Sequence, residues 1–440
     1  MTRVFPDGNY ESWTQCRSLL PHVKIVLASR NDTDGDDRLN AATLSSNCGL
    51  FLDLQGAYEE AGSMHGWALK AREKVLGCEH PHTLISVIHL GNVLDSQGRY
   101  EEAEAMHRRA LEGFEKVLGQ EHPYTLSSVG NLGNVLDSQG KYEEAELLHR
   151  RALEGVEEVF GREHRNTLTS VSNLGNVLSR QGKYEEAESM HRRALEGSEK
   201  MLGREHPDTL TSVSSLGKVL SQQGRYEEAE AIHRRALEGL EEVLGQEHPH
   251  TLNSVGHLGL VLDNQGKYEE AEAMHRRDLE GSEKVLGREH PNTLTSANNL
   301  GLVLFKQGKY EEEEAMHRRA LEVREKVLGR EHPDTLTSVS NLGLVLDRHR
   351  KHEEAEAMQR RALEARERVL GYEHPETLIT VSNLALLLTT NEKIDRQKRC
   401  IDGRLKDTRC LETSILTRSP GSTALAQCLT GKGNLHRHGR

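Results

Sequence analysis

At 440 residues, with 35% apolar and only 4% aromatic side chains, the chain is thin in core-forming residues for two or three globular domains, and it suits an elongated array whose units each bury a narrow seam. The net charge of -12 is unevenly spread: residues 391–440 carry 11 basic against 5 acidic side chains, so the rest is strongly acidic, which argues against nucleic acid as a partner. Six scattered cysteines with no C-x-x-C pair read as free thiols of a reducing compartment, and no run approaches the ~18 apolar residues of a membrane span. The expectation is a cytoplasmic protein without a membrane partner.

In chain order, residues 5–27 read as two short helices, the second opening at Pro21. From residue 41 the sequence repeats. Tyr58, Tyr100, Tyr142, Tyr184, Tyr226, Tyr268 and Tyr310 stand 42 apart, and His352 holds the next place, so the chain is a stack of supersecondary units. In a sample unit, helix A is expected over residues 125–139, with Leu126, Val129, Leu132, Val135 and Leu136 at helical spacing, ended by Gly140. Helix B is expected over residues 142–160, with Tyr142, Ala145, His149, Ala152, Leu153, Val156 and Phe160 on one stripe and Gly161 closing it. Glu146 and Arg150 form an i,i+4 pair in the favourable order, repeated in the other units. An E-H-P-x-T-L loop sets a proline ahead of each helix A, except where Arg165 stands.

The last repeat is followed by an extra A-type helix, residues 377–390, expected to cap the final apolar face. Residues 391–440 lose the period and read as a poorly ordered basic tail. The expected organisation is therefore a helical linker over 1–40, a repeat solenoid over 41–390 and the tail. Two residues conflict with the pattern: Asp278 stands where Ala152 and its equivalents pack, and Glu313 replaces the other close-packing alanine. A buried unpaired charge costs several kcal/mol, so the expectation is that the helices splay there or the charges reach water.

The spacing V-x-x-L-G-x-x-L-x8-A-x3-H-x2-A (Val129, Leu132, Gly133, Leu136, Ala145, His149, Ala152) resembles the tetratricopeptide pattern, eight times over residues 41–390. The resemblance implies an all-α, right-handed solenoid of about eight 42-residue helical hairpins plus a capping helix. The repeat length and the A-L-E-x-x-E-K-V-L-G-x-E-H-P run resemble the kinesin-light-chain subfamily, except that His takes the place of the usual aromatic. Residues 5–27 resemble the linking segment of fungal NLR-like proteins that carry such repeats. That likeness implies a sensor half, because the chain has no G-x-x-x-x-G-K-[ST] phosphate loop for an ATPase half.

Two histidine ladders invite a metal reading: His65, His107, His149, His191, His233, His275 and His317 in the repeats, and His80 to His374 in the loops. Successive members lie a whole repeat apart and cannot share one coordination sphere, so they read as packing and loop residues. No nucleophile stands beside a base and an orienting acid in a known motif, so no enzyme is expected; a hydrolase without a motif is the weakest alternative. The Glu-Glu pairs after each tyrosine read as a solvated face.

In tetratricopeptide folds the A helices make the inner wall. Before the Leu-Gly step they carry Asn47, His89, Asn131, Asn173, Ser215, His257, Asn299, Asn341 and Asn383. This resembles an asparagine ladder that holds a peptide backbone, the other reading being a helix–helix hydrogen bond kept by duplication. Three positions on come Asn92, Asn134, Asn176 and Lys218, then Leu260, Leu302, Leu344 and Leu386, a row that either meets a partner or packs on the next A helix. Asp53, Asp95, Asp137, Asp263 and Asp347 follow one turn later, beside Arg180, Lys306 and Arg348. The expected activity is binding of a protein or peptide in this groove, through Asn131, Asn173, Asn299, Asn341, Asn383, Leu260, Leu302, Leu344 and Leu386, with no cofactor or metal. A kinesin-light-chain type cargo adaptor is the alternative; the oligomeric state stays open.

Overall fold

The computed structural model describes residues 5–6, 10–28 and 35–390. The expected tail, 391–440, lies outside them. Among the described residues the regular structure is helical, without strands. A 3-10 turn, Tyr10–Ser12, leads into α1 (Trp13–Ala28). Helix A and helix B then alternate: α2 (Gly35–Leu54) and α3 (Tyr58–Leu76), α4 (Pro81–Ser96) and α5 (Tyr100–Leu118), α6 (Pro123–Ser138) and α7 (Tyr142–Phe160), α8 (Arg165–Arg180) and α9 (Tyr184–Leu202). The series continues through α10 (Pro207–Gln222) and α11 (Tyr226–Leu244), α12 (Pro249–Asn264) and α13 (Tyr268–Val285), and α14 (Pro291–Lys306). Then come α15 (Tyr310–Val327), α16 (Pro333–Arg348), α17 (His352–Val369) and the extra α18 (Pro375–Thr390). The chain forms two compact units, Met1–Gln307 and Gly308–Arg440, so the first closes with α14 and the second opens with α15.

Helix B matches the sequence expectation at both ends, whereas helix A begins two residues early because the proline is its first residue. The loop histidine just before it is the N-cap: in α6, His122 Nδ1 accepts from the Tyr124 N–H at 3.2 Å. The same bond recurs from His80 to His374, and at His164 it holds even though Arg165 replaces the proline. The N-terminal segment departs from expectation, since α1 runs unbroken through Pro21. Pro21 lies on the exposed side of the helix. Trp13, Cys16, Val23 and Leu27 hold both halves against Leu44, Cys48 and Phe51 of α2.

In the first unit the hairpins from α2–α3 to α12–α13 pack the repeat-ladder histidine of helix B into the space left by a glycine of helix A. A Cβ on Gly133 would lie 2.8 Å from His149 Nε2, and Gly91, Gly175, Gly217 and Gly259 face their histidines likewise. These rings are fully buried, and burial holds His149 down at about 4 and His65 and His233 at about 3, so they are neutral packing residues. In α17 the place belongs to Gln359, which exchanges hydrogen bonds with Ser340 at 2.7 and 3.0 Å. Between successive B helices an ion-pair ladder runs from Arg109–Glu73 and Arg151–Glu115 to Arg235–Glu199, each at 2.5 Å. Glu146 pairs with Arg150 of its own helix and with Lys183 of the next repeat, both at 2.7 Å.

The two misfit acids neither splay the helices nor reach water. Asp278 stays buried because Gly256 leaves room opposite it and Ser282 donates to its carboxylate at 3.2 Å; Ser296 also bonds it. Burial still raises it to about 6. Glu313 is fully buried in the second unit, 3.6 Å from both Arg348 and His349, and desolvation raises its pKa. Asp278 is thus held by neutral hydroxyls alone and keeps a desolvation cost, whereas Glu313 faces two basic side chains.

Candidate functional site

In the first unit, successive A helices approach one another and form one face. The side chains one position before the Leu-Gly step and three positions beyond it project there. Between α6, α8 and α10 they line a cleft of about 320 Å³ whose walls include Asn134, Asn173, Asn176, Ser215, Lys218 and Gln222. A second cleft, about 300 Å³, continues from Asn173 and Asn176 to Thr211 and Met201, and a third reaches Asn253 and His257 on α12. The three clefts together run across four repeats, the first with mainly polar walls.

Asn131, Asn173 and Asn299 in the first unit, and Asn341 and Asn383 in the second, are all half-buried. Among the described residues their amides make no hydrogen bond to the chain, and each thus keeps a donor and an acceptor for something else. The row three positions on is exposed at Asn92, Asn134, Asn176 and Lys218. The leucines are uneven: Leu260 and Leu344 are half-buried against their neighbours, while Leu302 is 38% and Leu386 62% exposed. Leu260 and Leu302 belong to the first unit, Leu344 and Leu386 to the second.

The acids at the ends of the A helices tie neighbouring A helices together. Arg180 reaches Asp137 at 3.2 Å and Lys306 reaches Asp263 at 2.8 Å, one repeat apart. Asp95, hydrogen-bonded to Ser138, is raised to about 6 by burial, and Asp53, bonded to Ser96, is raised for the same cause. Lys218 has no such ion pair; desolvation and the nearby Arg180 lower its pKa, against the nearby Asp137, which raises it. The sequence reading passes over Ser179 and Gln222, which bond each other across α8 and α10; the signals were that Ser179 breaks the Asp series and that Gln222 stands where Arg180 and Lys306 do. Among the described residues no group of His, Cys, Asp and Glu is placed to hold a metal ion, and no helix is long and apolar enough to cross a membrane.

Stacked two-helix hairpins with one continuous A-helix face define an α-solenoid repeat scaffold. The tetratricopeptide repeat family matches the chain in seven overlapping stretches from residue 40 to residue 368, and the chain belongs to it. A curated relative, a nucleotide-binding leucine-rich repeat (NLR)-like protein of Hyaloscypha variabilis, is 42% identical over 87 residues, which are 20% of this chain and 9% of the relative. The chain thus spans a small part of that relative's length. Among solved structures, Rap protein complexed with competence and sporulation factor aligns with a TM-score of 0.55 at 15% identity, over 84% of this chain and 95% of the other. The apo quorum sensor NprR of B. thuringiensis aligns at 0.50 and 14%, over 81% and 97%. A putative kinesin light chain of Podospora anserina with nearly identical TPR-like repeats aligns at 0.41 and 24%, over 47% and 97%.

Proposed function

We propose that the chain binds an extended peptide or a helix of a partner protein along the A-helix face, and that it is the ligand-sensing part of an NLR-like signalling protein. The observation that carries the binding reading is the cleft between α6, α8 and α10, lined by the half-buried Asn173 and the exposed Asn134 and Asn176, whose amides make no bond to the chain. An amide presents a donor and an acceptor together, as a backbone peptide group does, so a ladder at one-repeat spacing holds a peptide main chain without reading its side chains. Sequence preference then comes from the second row: polar and cationic at Asn134, Asn176 and Lys218, apolar at Leu260 and Leu302. The NLR-like part of the reading is supported by the 42% identical stretch of the Hyaloscypha relative.

The test is to pan a displayed library of random peptides on the immobilised chain and to measure the selected peptides by fluorescence polarisation. Asn131→Ala with Asn173→Ala is expected to weaken every selected peptide by a similar factor of at least ten. Leu260→Ser with Leu302→Ser is expected to weaken those with large apolar anchors and spare the rest. Selected peptides that bind the asparagine variant as well as the parent chain would refute the site.

A further inference from the structure

We propose that the N-terminal segment is a latch that closes the repeat array of the first unit on itself and thereby sets the curvature of its A-helix face. The 3-10 turn, α1 and the C-terminal end of α2 do not only cap the first hairpin. They also touch the α11–α12 and α13–α14 loops, more than 230 residues away in sequence and between five and six repeats along the array.

Four contacts make the seam. His290 Nδ1 accepts from the Asn292 N–H at 3.1 Å, so its ring proton sits on Nε2, which donates to the Leu54 carbonyl at 3.1 Å. That carbonyl ends α2 and has no helical partner of its own. Arg17 donates to Gln55 Oε1 at 2.8 Å and to the Val285 carbonyl at 3.1 Å, placing a cation at the C-terminal end of α13. The Tyr10 ring stands edge-on to His248, centroids 4.5 Å apart. Val285 and Leu286 pack on the cluster of Phe5, Trp13, Cys16 and Phe51.

The seam is specific to this place in a chain of near-identical units. Gly56, at φ +73°, comes so near Pro291 that a Cβ would lie 2.5 Å from its Cδ, whereas the equivalent Gly182 and Gly224 meet nothing within 4 Å. In the first unit the equivalent Val117, Val159 and Val243 are exposed at more than 40% and Val75 at 36%, while Val285 is half-buried and packs on the α1 cluster. A solenoid held only by nearest neighbours accumulates small bends from repeat to repeat. A tie between its first and sixth repeats fixes their sum, and with it the spacing of the asparagine rungs between. The consequence for binding rests on the function proposed above; the closure itself does not.

The test uses the full chain and hydrogen–deuterium exchange read by mass spectrometry. Tyr10→Ala with Arg17→Ala is expected to raise exchange several-fold in residues 246–252 and 285–292, while the equivalent loop at 160–168, which has no such contact, stays unchanged. Pro291→Ala approaches the seam from the other side and is expected to raise exchange at residues 52–57. Energy transfer between dyes at Asn92 and Asn264, both exposed, is expected to show a broader distance distribution in either variant. Unchanged exchange across the seam, equal rises in every loop, or an unchanged dye distribution would each overturn the latch. A closed seam together with failure of peptide panning would leave the latch standing and sink only the binding function.

Discussion

Acidification unfolds the first unit through its buried histidines. The unit holds six members of the repeat ladder, His65, His107, His149, His191, His233 and His275, each shifted by burial from the ordinary 6.5 to about 3 or 4. A base whose folded pKa is depressed stabilises nothing further above 6.5. As pH falls from 6.5 towards 4, the unfolded chain takes up a proton at each site and the native unit does not, so stability is lost over that window. Between pH 7 and 5 the loss is about 2 kcal/mol per histidine, or roughly 11 kcal/mol for six. Asp95 and Asp278, raised to about 6, act in the opposite direction, because the native state takes up their protons first. They return only about 1.3 kcal/mol each over the same interval, so the histidines win. The net loss from these eight groups, roughly 8 kcal/mol, is comparable with the ~5–15 kcal/mol total stability of a domain, and His89 and His257, each held at about 4 by burial, add to it. The assay is the guanidinium midpoint of the full chain at several pH values from 7.5 to 5, followed by circular dichroism. His191→Gln with His233→Gln copies the glutamine already present at Gln359, with Ser172 and Ser214 standing where Ser340 does. This pair is expected to recover about 4 kcal/mol at pH 5 and to change little at pH 7.5. A midpoint independent of pH, or an equal acid loss in the double glutamine variant, would refute the reasoning.

Asp278→Asn keeps the bonds to Ser282 and Ser296 without the charge, so thermal melts at pH 7.5 are expected to show a gain of about 2–3 kcal/mol that vanishes near pH 4; no gain at pH 7.5 would contradict the buried-charge account. Gly133→Ala drives a methyl into the His149 ring and is expected to cost about 1–3 kcal/mol by denaturant titration, against near zero for His149→Ala in the Gly133→Ala background relative to His149→Ala alone. Chains ending after Gly161 and after Gly245 are expected to differ in denaturant midpoint, the longer being the more stable, because each repeat adds an interface; equal midpoints would contradict a nearest-neighbour array.

The hairpins were legible because their signals are strictly periodic: the Tyr series marks where each helix B begins and the glycines mark where the helices end. Helix α18, the last in the described residues, carries Ala385 at the place of Gly133. The loop histidines were legible as a ladder but not as N-caps, because histidine is an uncommon cap and its Nδ1 acts as an acceptor only in the neutral ring. Pro21 read as a helix start because local preference cannot see that Trp13, Cys16, Val23 and Leu27 share one buried stripe across it. The candidate site was legible as two rows of side chains, and their places on the A helices followed from the period. What the sequence could not carry were facts about pairs far apart: that Gly256 leaves room for Asp278, that Asp137 is engaged by Arg180, and that Leu54 meets His290.

The central claim is that ligands lie on the A-helix face. A selected peptide carrying a benzophenone can be crosslinked to the chain by light and the adducts mapped by mass spectrometry, with Glu227 on the exposed face of α11 as the outer reference. The account predicts adducts on α6, α8 and α10, at or beside Asn134, Asn173, Asn176 and Ser215, and their loss in Asn131→Ala with Asn173→Ala. Adducts concentrated on α7, α9 and α11, and retained in that variant, would place the partner on the B-helix side and contradict it.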